Sequence, residues 1–306
     1  MTGADQTVVQ KRMRKIYTEL AGPAESGTTK NTQGAAAPAV SVLMGTYNEK
    51  DKADTTLAID SILMQTYTDF EFIICDDGSG QEFYQWLVQF CRKDDRIRLL
   101  RNKKNHGLAY TLNKCLKYAS GVYIARMDAD DISDPDRFEK QTMFLNAHPE
   151  YAVAGCSVRM LGSSGIWGVR RMEEMPGKKS FLNTLPFVHP AVMIRRKVLE
   201  ELHGYCESPK VLRTENYELF MRLYAAGFCG YNLKEVLLSY REDEQSYLKR
   251  KYRYRINECR VRYNGFRRMG ILKGNLRYVA KPLAVGLIPA CVMRQIRRHR
   301  YASGLQ

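Results

Sequence analysis

Val122-Tyr123-Ile124-Ala125-Arg126-Met127-Asp128-Ala129-Asp130-Asp131 passes from an apolar run into three carboxylates on one short turn. We read it as a strand whose end concentrates negative charge, an arrangement that seldom exists without a cation. Hard divalent ions such as Mn2+ or Mg2+ take oxygen ligands, keep open coordination positions and bridge to substrate phosphates. Asp128 and Asp130 lie two apart, so both can reach one ion, or one ion and a sugar hydroxyl. Acid-rich turns also cap helices, and Ser133-Asp134-Pro135 just beyond has the composition of such a cap.

The upstream sequence decides between these readings. Residues 39–44 form an apolar strand ending in Gly45-Thr46-Tyr47-Asn48, and residues 70–75 form a second ending in Asp76-Asp77-Gly78-Ser79. A third strand covers residues 97–100, and helical patterns fill residues 55–65, 82–91 and 107–118. Strands alternating with helices of this length predict an α/β fold, a mostly parallel sheet with helices on both faces. Ligands of such sheets bind outside the carboxyl ends of the strands, where every polar cluster named so far falls.

These stretches together resemble family 2 glycosyltransferases, which have the GT-A fold, a Rossmann-like nucleotide-binding architecture. Val40-Ser41-Val42-Leu43-Met44-Gly45-Thr46-Tyr47-Asn48 is similar to the family's opening strand. Ile59-Asp60-Ser61-Ile62-Leu63-Met64-Gln65-Thr66-Tyr67 resembles its helix end. Asp76-Asp77-Gly78-Ser79, Asn105-His106-Gly107-Leu108, Asn113 and Met127-Asp128-Ala129-Asp130-Asp131 follow in the family's order and spacing. The likeness is strong over residues 39–160 and looser to about 241. It implies that Thr46, Tyr47 and Glu49 line a nucleotide pocket, with Asp77 at the edge of a uracil-like base. Asn105 and Gly107 would belong to the same pocket. Asp128 would meet the ribose and the metal, and Asp130 the Mn2+ or Mg2+ that bridges the diphosphate of a nucleotide sugar. Arg126 would set a fixed positive charge near that diphosphate, or form a surface ion pair.

The second half would supply the acceptor side. Phe187-Val188-His189-Pro190-Ala191-Val192-Met193-Ile194-Arg195 resembles a segment of bacterial members in which the His lies close to the donor. Arg213-Thr214-Glu215-Asn216-Tyr217-Glu218-Leu219 stands where the family has "E-D-Y-x-L", whose Asp serves as general base. Here that position is Asn216, and an amide does not take up a proton as a carboxylate does. Glu215 is the expected replacement, with Glu218 and His189 as the other candidates. The resemblance implies an inverting transfer from a nucleoside-diphosphate sugar, a UDP-sugar, to a lipid-linked or polysaccharide acceptor of a capsule, exopolysaccharide or wall polymer. The rival reading is a catalytically silent nucleotide-sugar-binding or scaffolding protein, motivated by Asn216. A sugar nucleotidyltransferase would show a Gly-rich loop with a basic residue after the first strand, which Gly45-Thr46-Tyr47-Asn48 lacks. A receiver domain carries its acid pair after the first strand, whereas Asp76-Asp77 follows the second.

Composition adds boundaries. The 306 residues accommodate one large α/β domain with appendages. Residues 1–38 read as a flexible leader without a signal-peptide core, 39–241 as the GT-A domain, and 242–306 as a basic helical extension. Within the domain, 39–131 would form the nucleotide-sugar half and 132–241 the acceptor half. The eight cysteines show no metal-type spacing and read as buried thiols of a reducing compartment. From Arg241 onward there are 17 Lys and Arg against 4 Asp and Glu, so nearly all of the chain's +15 charge lies there. Residues 278–293 are apolar but interrupted by Lys281, Pro282 and Pro289, and are followed by Arg294, Arg297, Arg298 and Arg300. That pattern suits shallow insertion into an anionic leaflet rather than a spanning helix. A helix packed back on the domain is the alternative, and no nucleic-acid partner is expected. The resulting location is cytoplasmic, peripheral on the inner face of the cell membrane.

Overall fold

The computed structural model describes residues 37–49, 51–242 and 252–302. Of the leader expected over residues 1–38, all but the last two positions lie outside the described residues.

Four parallel strands open the fold: β1 (Val40–Thr46), β2 (Phe70–Asp76), β3 (Ile97–Arg101) and β4 (Tyr123–Asp128). Side chains alternate across a strand, so each strand feeds two cores. Val40, Val42, Met44, Phe72, Ile74, Ala125 and Met127 pack on one face; Leu43, Ile73, Cys75 and Ile124 pack on the other. Helices α1 (Lys52–Leu63) and α2 (Gln81–Cys91) cover the first face through Ala58, Ile59, Ile62, Phe83 and Leu87. Helix α3 (Leu108–Tyr118) covers the second with Ala109, Leu112 and Cys115. α1 starts three residues earlier than the apolar pattern predicts, because the Asp51 carboxylate accepts the Ala53 backbone N–H at 2.9 Å and caps the helix there.

The sheet continues as a mixed one. In addition to β5 (Ile132–Ser133), it takes in β6 (Val153–Gly162), β7 (Gly165–Arg170), β8 (Met193–Arg195) and β9 (Gly230–Arg241), in the order β3-β2-β1-β4-β8-β6-β9-β5, with β7 beside β6. β8 runs antiparallel to β4, and β6 lies parallel to β9. The parallel sheet expected from the sequence is therefore the first half, and the second half is where strand direction reverses. Helices α4 (Arg137–Ala147), α5 (Arg196–Glu201) and α6 (Glu215–Ala225) complete the layers.

The basic extension is helical, as expected: α7 (Arg253–Met269), α8 (Leu276–Gly286) and α9 (Ala290–Ala302). α7 buries Val261, Phe266 and Met269 in the second core. Its Arg262 lies buried between Glu258 and the Leu182 carbonyl, to which it donates at 2.9 Å. α9 returns to the sheet, where Tyr301 packs beside Trp167 and over Gly168. Leu276 on α8, Leu287 and Ile288 in the connection, and Val292 and Ile296 on α9 stay exposed. Among the described residues no single helix is long and apolar enough to cross a membrane; α8 and α9 together have the length and composition but bend by 118°. The cysteines are free, four of them buried, while Cys291 departs from the expected burial and is exposed.

Gln65 at the end of α1 fixes the acidic turn from behind. Its Nε2 donates to the Asp134 carbonyl at 2.6 Å and to Ser133 Oγ at 3.2 Å, and its Oε1 accepts the Phe138 N–H at 3.0 Å. Ser61 Oγ accepts the Ser133 N–H at 3.1 Å. Gln65→Ala would strand several buried partners, and we expect it to lower unfolding free energy by about 2–3 kcal/mol in urea denaturation. A loss under about half a kcal/mol would show that water replaces these bonds freely.

Candidate functional site

The strand order reverses at β1, which has β2 on one side and β4 on the other, and in open α/β sheets ligands bind at such a switch point. Gly45 near the end of β1 lies opposite Asp128 at the end of β4. Thr46 is buried and its Oγ1 has no hydrogen-bond partner, while Tyr47 stands 45% exposed. Asn48 takes a left-handed backbone, φ 45°, which lets its Oδ1 accept the Gly80 N–H and its own N–H donate to Ser79 Oγ, both at 2.8 Å. The tips of β1 and β2 are thereby tied into one rim, from which Tyr47 projects and beside which Glu49 lies half-buried.

Asp77 organises the next loop. Its Oδ1 accepts from Asn102 Nδ2 at 2.8 Å and from the His106 N–H at 2.9 Å; its Oδ2 accepts the Gly107 N–H at 2.8 Å. Asn105 is exposed beside these two anchored amides, and Gly107 itself has φ 90°. Gly78 is needed for the fit: its φ is 77°, and a Cβ there would lie 2.5 Å from the Lys104 carbonyl carbon. Asp77 and the 105–107 loop are thus one unit.

The acidic turn holds the strongest electrostatics. Arg126 is buried and forms an ion pair, the expected alternative, with the partly exposed Asp128; its Nε has no hydrogen-bond partner. Burial, then the negative charges of Asp128 and Glu49, pushes the Asp130 carboxyl up to about 7. Asp131 is fully buried, and burial followed by the charges of Asp130 and Asp128 holds it well above the usual carboxylate range. Its Oδ1 accepts the Arg241 N–H at 2.7 Å, and its Oδ2 has no partner. Glu49, three residues past the end of β1, and Asp128, at the end of the neighbouring β4, are near enough to Asp130 for their charges to act on it. Oxygen-only donors that repel one another suit a hard divalent cation. Among the described residues no group of three or more His, Cys, Asp or Glu forms a ready cage, which an ion completed by phosphate oxygens does not need. Asp134 is ion-paired to Arg159 at 2.8 Å and caps no helix.

On the opposite wall, the His189 Nε2 and the Tyr205 hydroxyl are 2.9 Å apart. Burial, then Arg126, pushes the His189 imidazole well below its ordinary value, so it is neutral at pH 7. Burial pushes the Tyr205 phenol up to about 12. Asn113 on α3 grips Tyr205 from both sides, accepting its N–H at 2.8 Å and donating to its carbonyl at 2.9 Å. His189 also meets Phe220 edge-on, with ring centres 6.3 Å apart. Phe220 lies one helical turn beyond Asn216, on the same side of α6. Glu215 and Asn216 are the first two residues of that helix. Asn216 Oδ1 accepts the Tyr217 N–H at 2.8 Å. Glu218 is engaged by Arg222 at 2.8 Å, which leaves the half-buried Glu215 as the carboxylate at the helix start.

Four contributors escape sequence reading. Asn102 bridges Asp77 and Lys114, Arg137 is fully buried with its guanidinium on the Arg126 and Pro190 carbonyls, Tyr205 holds His189, and Arg241 holds the acidic turn. Arg137 falls on the buried stripe of α4 with Gln141 and Leu145, a spacing that hints at burial although the residue type argues against it. The others act across sequence separations that carry no local signal.

The profile of Glycosyl transferase family 2 matches residues 41–203, and that of Glycosyl transferase family group 2 matches residues 123–302. The chain belongs to glycosyl transferase family 2. Among its relatives is EpsE of Bacillus subtilis (strain 168), a protein named as a glycosyltransferase, 38% identical over 266 residues, 86% of this chain and 94% of EpsE. The O-antigen biosynthesis glycosyltransferase WbnJ of Escherichia coli is 31% identical over 68% of this chain and 81% of its own. The family's GT-A fold is shared with S. aureus TarS 1-349 in complex with UDP-GlcNAc (TM-score 0.59, 20% identity, 79% of this chain and 72% of that one). It is shared also with mannosyltransferase PcManGT of Pyrobaculum calidifontis in complex with GDP-Man and Mn2+ (TM-score 0.56, 17% identity, 96% of this chain and 88% of that one).

The raised Asp130 has a measurable consequence for this glycosyltransferase. An unfolded Asp loses its proton near pH 4, whereas Asp130 in the fold keeps it to about pH 7. Its contribution to stability is therefore full below pH 4 and is lost as pH rises through 7. In metal-free buffer, Asp130→Asn should unfold like the parent at pH 4 and be more stable by about 4 kcal/mol at pH 8. Equal stability of the two proteins at both pH values in urea titrations would mean that Asp130 is already ionised at neutral pH.

Proposed function

We propose that the chain is an inverting glycosyltransferase that takes a UDP-sugar and extends a lipid-linked or polysaccharide acceptor in surface polysaccharide synthesis. The observation that carries this reading is the carboxylate corner of Glu49, Asp128 and Asp130 at the β1/β4 switch point. Relatives named for O-antigen and amylovoran biosynthesis support the acceptor class, and TarS complexes with UDP and UDP-GlcNAc support the donor class.

Thr46, Tyr47 and Glu49 line the nucleotide pocket, with Tyr47 free to stack on the base and the Asp77 loop, including Asn105 and Gly107, closing its edge. Asp130 with Asp128 would hold Mn2+ or Mg2+, which when bound neutralises charge on the departing diphosphate. Arg126, fixed by burial and by Asp128, adds a second positive charge there. Glu215 accepts the proton of the acceptor hydroxyl as that oxygen bonds to the sugar C1 and the C1–O bond to the diphosphate breaks, with inversion. Asn216 orients the acceptor through its amide, and His189, neutral and held by Tyr205, lines the donor side as a hydrogen-bonding group. Residues 39–131 serve the donor and 132–241 the acceptor. The extension from residue 242 rests its exposed apolar side and its Arg and Lys residues on the anionic cytoplasmic face of the membrane.

Asn216 favours a second reading, a nucleotide-sugar-binding protein without turnover. A screen of nucleotide sugars for UDP release with Mn2+ separates the two. We expect turnover by the parent, and a fall of about 100-fold or more in kcat for Glu215→Gln at similar KM. Turnover seen only after Asn216→Asp would favour the silent protein instead. For the extension, Leu287→Asp with Ile288→Asp should cut co-flotation with vesicles containing anionic lipid by about tenfold, leaving UDP release in solution unchanged. Retained flotation would assign the membrane contact elsewhere.

A further inference from the structure

Arg241, the last residue of β9, reaches the acidic turn from 110 positions away in the chain. Its backbone N–H donates to Asp131 Oδ1 at 2.7 Å, and its Nε donates to the Asp130 carbonyl at 2.9 Å. One of its two terminal guanidinium nitrogens, Nη2, pairs with Asp54 of α1 at 2.7 Å, with both side chains largely buried. The Asp130 carbonyl and the Asp131 side chain are therefore held by one residue, which is itself braced against the helix that follows β1. The next residue, Glu242, donates its N–H to the Leu161 carbonyl at 2.9 Å, and its buried carboxylate is ion-paired to Arg297 of α9. A continuous line of polar contacts thus runs from α9 through Glu242 and Arg241 to the carboxylates at the end of β4.

We propose that Arg241 is a positioning residue for the donor diphosphate site, and that α9 supports it through the Arg297–Glu242 pair. The inference rests on the donor-site reading above. Without the Arg241 side chain the turn keeps Gln65 behind it and the residue-241 N–H on Asp131, but loses the Nε contact that holds the Asp130 carbonyl and the brace to Asp54. The planar fork of arginine makes the Nε and terminal-nitrogen contacts at once, which the single ammonium of lysine does not reproduce. Groups that orient ligand side chains from behind commonly change affinity by about 10- to 100-fold when removed. The C-terminal helix would accordingly act on donor affinity as well as on membrane contact.

The test uses the full chain and two readouts. One is backbone amide exchange over residues 126–133 without ligand; the other is calorimetric titration with UDP, with and without Mn2+. Arg241→Lys should exchange about tenfold faster at Asp130 and Asp131 and bind UDP about tenfold more weakly with Mn2+, while exchange at Leu43 and Met44 in β1 stays as in the parent. Arg297→Ala should move both readouts in the same direction by about threefold, and it carries the test if the Arg241 variant does not fold. Unchanged exchange, or faster exchange with unchanged Mn2+-dependent affinity, would overturn the proposal. A parent that binds neither UDP nor GDP would bring down the donor-site reading, and the exchange data alone would then uphold or overturn the hold of Arg241 on the turn.

Discussion

Crowding of carboxylates at the end of β4 is the constraint around which the rest is arranged. Asp128, Asp130 and Asp131 are brought together with Glu49 in a partly dry corner, where like charges repel and burial penalises ionisation. The fold tolerates this because buried guanidinium groups stand close by. Arg126 pairs with Asp128, Arg241 spans Asp131 and Asp54, and Arg137 sits on the carbonyl of Arg126 itself. Buried Arg137 has its own pKa lowered to about 10 by desolvation, a sign of how little water reaches this side of the turn. Such a site is under-compensated by design of its sequence, and it gains most from a ligand that brings positive charge and leaves with negative charge.

The geometry also separates holding from reacting. Asp76 accepts the Ser79 N–H and is ion-paired to Arg101; Asp77 is taken up by three donors; Gln65 and Asn113 are fully engaged. These motif residues shape loops, so a recurring motif residue need not be one that meets the ligand. Tyr47 and Asn105 stay exposed, and Glu49, Asp128, Asp130 and Glu215 half-buried.

Much of the first half is legible in the chain because its signals are local. Strands of five to seven residues that run into polar tips, the first three of them followed directly by a helix, can be read one after another, and the switch-point rule then locates the site. The second half resists for physical reasons. β5 and β8 have two and three residues, too few for any period to show, and their direction depends on partners more than forty positions away. Arg137 and Arg262 carry charge into the core, against the expectation that long cationic side chains face water. Tyr205 and Arg241 are meaningful only once a distant partner is placed beside them.

The grip of Asn113 on Tyr205 joins a helix of the first half to a loop 92 positions later, and Gly204 leaves no room for a Cβ beside it. Recombination between relatives that exchanged everything after residue 132 as a cassette would separate that pair, since one partner would arrive from each parent. Chimaeras of this fold should therefore respect a co-inherited seam at Asn113 and Gly204-Tyr205, and exchanges of shorter stretches on either side leave that seam intact.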